Sequence, residues 1–280
     1  MGMSSTLAPI AIACADDPRL EVFRAVRDRD LKARLGTDTR AGRFLAESPI
    51  VVERILSRTT SVESLLCDDA HAQRYAQISR ETPVYSASRA ILDAVTGYQF
   101  HRGVIASCRR PDVATLTLDR VMPTTRLPIT MLLLDGINNI DNMGQLYRNA
   151  AAFGVGVVVL SPDCHDHLYR KTVRVSIGYS ATLPTVISRD WASDLGRLRD
   201  EFGIFLVGAD AGATSVSIEC VPPSPRVGVV MGNEFNGLSV LARSAVHALV
   251  RIPMAAGVDS LNVATASSIC LHRLGSASLT

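Results

Sequence analysis

An α/β architecture built on largely parallel sheets is predicted by three observations. Short, near-continuous apolar runs such as "ITMLLLDG" and "RVGVVMGN" alternate with amphipathic helical segments, the pattern of strands covered on both faces. The texture changes near residue 110, where "RRPDVATLTLDRVMPTTRLP", Arg109 to Pro128, gathers three prolines and reads as a linker with one helical turn. Loops rich in Gly and Asn follow the later strands, the edge at which open parallel sheets hold ligands. The chain is therefore divided into a small α/β domain over 1–110, a linker over 111–127, and a larger α/β domain over 128–280.

The elements follow in order. The opening "MGMSSTLAPIAIACADDPRL" has an apolar stretch without a basic flank, so it reads as a segment entering a strand rather than a signal peptide. "LEVFRAVRDRDLKARL" is a charged amphipathic helix. Then "GRFLAES" is a strand, "PIVVERILSR" a helix, "SVESLLCD" a strand, "AHAQRYAQIS" a helix, "TPVYSAS" a strand, "SRAILDAVTG" a helix and "RGVIASCRRP" a strand. In the second domain "ITMLLLDG", "VGVVVLS", "GIFLVGAD", "RVGVVMGN" and "HALVRIPM" are buried strands, and a last helix opens after "DSLNVA".

Composition removes several classes. The chain has 280 residues, 47% hydrophobic and 20% charged, enough for one or two globular domains. No apolar run reaches membrane-spanning length. The six cysteines are scattered and form no C-x-x-C; "CHDH", Cys164 to His167, lacks a fourth soft ligand. No metal is expected, and reduced thiols suit a cytoplasmic protein. The net charge of +2 neither requires nor excludes nucleic acid. First-domain helices carry Arg24, Arg27, Arg29, Arg54, Arg58 and Arg74, which form either a solvated surface or a patch for a phosphate backbone. Neither G-x-G-x-x-G after a strand nor a P-loop is present.

"NIDNMGQLYRNAAAFG", Asn139 to Gly154, predicts a helix with Met143, Leu146, Ala150 and Phe153 on its apolar face. Gly144 is a poor helix residue, costing about 1 kcal/mol against Ala. Arg148 lies one turn later and leans back toward the N-terminus. The pattern predicts a cleared space at a helix start, with Asn142 and Arg148 aimed into it. Two more loops have a similar composition. "GNEFNGLS" follows the strand ending at Met231, and "PMAAGVDSLNVA" follows Ile252, with Ser260 placed to cap the last helix. Taken singly, each loop also reads as a plain turn or cap.

Taken together, the set resembles the three signature motifs of the SpoU/TrmH branch of the SPOUT methyltransferases. It comprises Asn142-x-Gly144-x-x-x-Arg148, Gly232-Asn233-Glu234-x-x-Gly237-Leu238, and Ile252-Pro253-Met254 with Ser260-Leu261-Asn262-Val263-Ala264. "VRVSIGYSATLP", with Arg174, Ser176 and Gly178, is similar to a family segment, and "GRFLAES" and "TGYQFHRGVIASCRRP" resemble the auxiliary RNA-binding domain of longer members. Three positions depart from the usual pattern: Ile140-Asp141 where a proline is common, Ala264 where serine is common, and the bulky Tyr147 beside Arg148.

The resemblance implies a C-terminal SPOUT domain with a parallel sheet and deep trefoil knot, and an N-terminal α/β RNA-binding domain. It implies a homodimer that completes the active site across its interface; Ala264, Ala266, Ser267 and Ser268 would let the last helix pack closely there. The methyl donor would be S-adenosylmethionine (AdoMet), cradled by main-chain groups around Gly232, Ile252 and Leu261, with Asn233, Gly237 and Met254 in the same binding set. The acceptor would be a ribose 2′-hydroxyl of ribosomal or transfer RNA. Arg148 would be the central catalytic residue, often cast as general base. A guanidinium with a pKa above about 12 suits orienting a phosphate and stabilising an alkoxide. Asn142 would position the substrate or Arg148, while Glu234, Ser260 and Asn262 complete the pocket by hydrogen bonding. An RNA-binding module without catalysis and a base-directed enzyme on the same fold are the alternatives.

Overall fold

The computed structural model describes residues 7–24, 42–59, 61–79, 81–112, 115–123, 127–212 and 214–275. They fall into two compact units, Met1–Pro111 with Leu168–Thr182, and Asp112–His167 with Leu183–Thr280.

The first unit is a five-stranded sheet with helices on both faces. Its strands are β1 (Ile10–Ala11), β2 (Arg43–Glu47), β3 (Val62–Asp68), β4 (Val84–Ala87) and β5 (Val104–Arg109), and its helices are α1 (Pro49–Arg58), α2 (Asp69–Ser79) and α3 (Arg89–Thr96). The strand order is β1-β4-β3-β5-β2. Alternation along each strand splits the core in two. Phe44, Ala46, Leu65, Cys67, Val104 and Ala106 face α1 and α2, while Leu45, Leu66 and Ile105 face α3. Pro49 opens α1 at a position where its missing N–H is harmless.

The expectation of a largely parallel sheet is corrected here. β1/β4 and β3/β4 are parallel, but β5 runs antiparallel to both β2 and β3. β4 connects to β5 through α3 and a short return flanked by the left-handed glycines Gly97 and Gly103. Within the predicted helix "LEVFRAVRDRDLKARL", the described start is a 3-10 turn, Pro18–Phe23, capped by Asp17; residues 25–41, Arg27 and Arg29 among them, lie outside the described residues. Of the other expected basic residues, Arg24 pairs with Glu21, Arg74 pairs with Glu53, and Arg54 bonds the Ile177 carbonyl and lies 3.9 Å over the Tyr179 ring.

The expected boundaries change as well. Residues 168–182 belong with the first unit. Leu168 and Val173 are buried in its core, and Arg170 donates to the buried Glu47, which also accepts from Tyr98 and Arg102. Part of the expected linker is packed rather than free. The turn Leu118–Val121 buries Leu118, and Met122 follows it into the core of the second unit.

The second unit holds a seven-stranded sheet in which every pairing is parallel: β6 (Ile129–Asp135), β7 (Val157–Leu160), β8 (Thr185–Ile187), β9 (Phe205–Ala209), β10 (Val216–Ser217), β11 (Arg226–Gly232) and β12 (Ala248–Arg251). The order is β10-β12-β9-β11-β6-β7-β8. One face packs on α4 (Ile140–Ala152) and α7 (Val263–Leu274) through Leu132, Leu134, Val229 and Met231. The other packs on α5 (Trp191–Asp200) and α6 (Val240–Ala245) through Met131, Leu133, Leu206 and Val230. The predicted phase of α4 holds for Met143, Leu146 and Ala150, whereas Phe153 is its half-buried C-cap. β8, β10, α5 and α6 carried no clear sequence signal. Among the described residues no helix is long and apolar enough to cross a membrane.

Candidate active site

The carboxyl ends of β6, β9, β11 and β12 open on one cavity of about 620 Å³, within the usual range for small-ligand sites. Four loops build it, and each is fixed by its own side chains.

After β6, Asn139 caps α4 by accepting from the backbone N–H groups of Asp141 and Asn142, at 2.9 and 3.0 Å. After β11 comes a turn whose two ends pair. The Asn233 N–H donates to the Gly237 carbonyl and the Gly237 N–H to that of Asn233, both at 2.9 Å. Inside the turn Asn233 Oδ1 accepts from the Phe235 and Asn236 N–H groups, and Asn233 Nδ2 donates to the Gly136 carbonyl at 2.6 Å. Gly232 has no room for a side chain: a Cβ there would lie 2.3 Å from the Gly237 carbonyl carbon and 2.4 Å from Leu238 N. Gly237 has φ +66°, the left-handed region that glycine enters without strain.

After β12 the chain runs from Ile252 to Asn262 without helix or strand. Asn262 caps α7, its Oδ1 accepting from the Ala264 and Thr265 N–H groups. The cap is thus Asn262, not Ser260 as the sequence suggested. Ser260 stays on the cavity wall.

The three motifs meet through side chains. Asn262 Nδ2 donates to Asn142 Oδ1 at 3.0 Å, and Asn142 Nδ2 donates to Glu234 Oε1 at 2.8 Å. Asn142 is buried, so using both ends of its amide meets the requirement that buried polar groups be paired. Each of the three residues comes from a different motif.

Of the residues singled out from sequence, Asn142, Gly232, Asn233, Glu234, Gly237, Ile252, Met254, Ser260, Leu261 and Asn262 all line the cavity. Arg148 does not. It lies six residues beyond Asn142, about 240° around the helix, and its side chain is exposed. The expectation that Arg148 leans over Gly144 into the same space is not met within one chain; Gly144 itself is buried. Asn149, the next residue, donates to the Ala264 carbonyl at 2.7 Å and ties α4 to α7.

Sequence reasoning missed a fourth wall, the loop after β9. Asp210 accepts from Arg243 at 2.6 and 3.2 Å and from Ser215 Oγ at 2.8 Å. Burial pushes the Asp210 carboxyl up, but the bonds from Arg243 and Ser215 outweigh it and hold it below the usual carboxylate range. Asp135, at the end of β6, was missed too; its Oδ2 accepts from the Ser239 N–H at 2.6 Å and anchors the start of α6. "GAD" and "LLDG" held a signal only in that each puts an acid at the carboxyl end of a strand.

The ionisable lining is Asp210, Glu234 and Arg243, a net negative wall. The apolar lining includes Met231, Val250, Ile252 and Leu261. The cavity suits a ligand with an apolar, planar body and a cationic end. Among the described residues no cluster could hold a metal ion.

A parallel sheet with this motif-lined cavity at its carboxyl edge defines an α/β enzyme that binds a small ligand. The chain belongs to the SpoU rRNA Methylase family, whose pattern matches residues 130–272. It is 33% identical over 264 residues to an uncharacterized tRNA/rRNA methyltransferase of Mycobacterium bovis, covering 92% of this chain and 88% of that one. It is 30% identical over 234 residues to the 23S rRNA (guanosine-2′-O-)-methyltransferase RlmB of Bordetella pertussis, covering 81% of this chain and 94% of that one. Among solved structures it resembles the SpoU methyltransferase AviRb of Streptomyces viridochromogenes in complex with AdoMet, with TM-score 0.72, 26% identity and coverage of 89% and 96%.

Proposed function

We propose that the protein is an AdoMet-dependent RNA methyltransferase that transfers a methyl group to a ribose 2′-hydroxyl of ribosomal or transfer RNA. The observation that carries this reading is the hydrogen-bonded chain Asn262–Asn142–Glu234, which joins three motifs at the wall of one cavity. Family membership and the relatives' activities support it.

The residues fit the methyl donor. Gly232 lets the turn close on its own backbone, since a Cβ there would meet Gly237 and Leu238, and this closed turn presents main-chain groups to the cavity. Met231, Val250, Ile252 and Leu261 suit an adenine, and Glu234 and Asp210 suit a sulfonium and an ammonium. When bound, AdoMet supplies an electrophilic methyl group for in-line transfer to oxygen.

The chain's own groups do the rest. Asn142 fixes Glu234, whose carboxylate can accept a hydrogen bond from the acceptor hydroxyl and align it. Ser260 and Asn262 hold the rim of the site. Arg148 is charged and exposed, suited to an RNA phosphate and to stabilising the oxygen as its proton leaves. Its place outside the cavity of its own chain favours a homodimer in which Arg148 of one protomer completes the site of the other. The exposed face of α4 and the half-buried Ala266 and Ser268 of α7 are the proposed contact; Ala264 and Ser267, also expected there, are buried within the chain.

Three further features belong to this reading. The C-terminal domain is threaded as a deep trefoil knot, supported by the return of α7 onto α4 and by the position of β11 between β6 and β9. The N-terminal domain recruits RNA, with the exposed Arg58 among its contacts. The enzyme works in the cytoplasm. The decisive experiment maps ribose methylation of ribosomal and transfer RNA in cells with and without the gene. One position losing its 2′-O-methyl group is the expected result, and an unchanged map rejects the proposal.

A further inference from the structure

Phe235 is out of place by ordinary burial rules. It is the only aromatic residue among the described residues lining the cavity, and it is 93% exposed. Among the other large apolar residues of the lining, Met231 is 2%, Val250 1% and Leu261 37% exposed, so none projects as far as Phe235. A single exposed hydrophobe is common on protein surfaces. This one is held in a fixed frame at the mouth of a reaction cavity. Its N–H donates to Asn233 Oδ1 at 2.9 Å, the turn is closed by the paired backbone of Asn233 and Gly237, and Gly232 packs beneath it. Its chain neighbour Glu234 is held by Asn142.

We infer that Phe235 is a stacking platform for a nucleobase of the RNA acceptor, an inference that rests on the RNA 2′-O-methyltransferase reading. A ribose hydroxyl reaches an enclosed methyl donor only when its nucleotide is splayed out of the RNA stack. The lost base stacking has to be replaced. An aromatic face replaces it without reading the base edge, and the pre-ordered turn keeps the ordering cost of binding low. Phe235 directly follows Glu234 in the turn and lines the same cavity, so a base lying on it brings its own ribose toward Glu234 and Asn142. The contact sets the nucleotide's position and favours bases with the larger π-face.

Four variants test this with total RNA from cells lacking the gene: Phe235→Ala, Phe235→Leu, Phe235→Tyr and Phe235→Trp. Because the ring is solvent-exposed, none removes core packing. Phe235→Ala is expected to raise the apparent KM for RNA about 5- to 100-fold, with AdoMet affinity unchanged. Phe235→Leu follows Phe235→Ala, because bulk without a π-face does not stack. Phe235→Tyr retains the RNA KM, and the emission of Phe235→Trp is quenched when RNA is added. A parental RNA KM in Phe235→Ala or Phe235→Leu overturns the proposal, as does an unquenched Phe235→Trp. So does conversion of a dimeric parent to a monomer by Phe235→Ala, which would make the ring an interface residue. The parent control separates the two levels. If the parent itself methylates no RNA ribose, the underlying function fails; if the parent is active and the variants match it, only the stacking role fails.

Discussion

Arg243 grips Asp210 with two nitrogens, at 2.6 and 3.2 Å, while its Nε donates to the Leu238 carbonyl at 3.3 Å. One guanidinium therefore ties the loop after β9 to the turn after β11, two neighbouring parts of the cavity wall. Loss of the grip frees both walls without emptying the core. Arg243→Ala is expected to weaken AdoMet binding about tenfold, a loss of about 1.4 kcal/mol, with the fold retained. Arg243→Lys, which cannot reproduce the two-point contact, should recover only part of it. Calorimetric titration of AdoMet into both variants checks this.

The same pair predicts a pH dependence of stability. The Asp210 carboxyl is held below its usual range in the folded protein. A depressed acid stabilises the fold above its unfolded pKa and loses that contribution as the pH falls through its folded value. At about pH 7 the parent should exceed Asp210→Asn by about 1 kcal/mol, the modest scale of a partly exposed pair. The gap should close on acidification below about pH 4. Urea unfolding of the two proteins across this range gives the comparison, and a gap that widens in acid would contradict the assignment.

Gly232 makes a stricter demand. A Cβ at this position meets backbone on the far side of the turn, at 2.3 and 2.4 Å, and backbone cannot rotate away as a flexible side chain can. Gly232→Ala is expected to cost about 3 kcal/mol, the upper end of overpacking effects, and to lower Tm by about 5–10 °C. The strain falls on the turn carrying Glu234, so AdoMet should no longer raise Tm. Thermal unfolding with and without AdoMet measures both effects at once.

What the sequence made legible follows from how local each signal is. The strands of the second unit announce themselves because a sheet covered on both faces needs unbroken apolar runs, and the register of α4 follows from Met143, Leu146 and Ala150. The motifs could be named because each is short and contiguous. Contacts between distant residues left no such trace. Asp210 and Arg243 are 33 residues apart, and Asp135 and Ser239 are 104 apart. Strand direction in the first unit was also hidden. β5 carries the same alternation whether it runs parallel or antiparallel, so its direction is set by long-range pairing with β2 and β3 that no local pattern records. The four-residue spacing of Gly144 and Arg148 carries no information on the phase of Arg148 relative to Asn142, about 240° around the helix, which turns its side chain away from the cavity of its own chain.

Asn142 uses its amide in both directions, donating to Glu234 and accepting from Asn262. Asn142→Asp keeps the size but removes the donor and sets two carboxyl groups against each other. Two like charges at that distance raise the pKa of one of them, and protonation restores a donor. Activity of Asn142→Asp relative to the parent should therefore be lowest at alkaline pH and rise as the pH falls toward about 6. Asn142→Ala, which has no titratable group, should show no such recovery. Relative methyl transfer at each pH distinguishes a role for this hydrogen bond from a general loss of structure.

Arg148 supplies the sharpest test of how the site is assembled. Arg148→Ala alone should abolish transfer and leave AdoMet affinity intact, because the side chain lies outside the cavity of its own chain. Glu234→Gln should also be inactive. If Arg148 serves the partner's cavity, a mixed dimer of these two variants contains one intact site, built from Arg148 of one protomer and Glu234 of the other. Random re-association of equal amounts makes about half the dimers mixed, so about a quarter of parental activity should return. If Arg148 acts within its own chain, every site in the mixture still carries a defect and no activity returns. The outcome turns on which protomer's cavity the exposed face of α4 meets, and co-unfolding and refolding the two inactive proteins settles it in one assay.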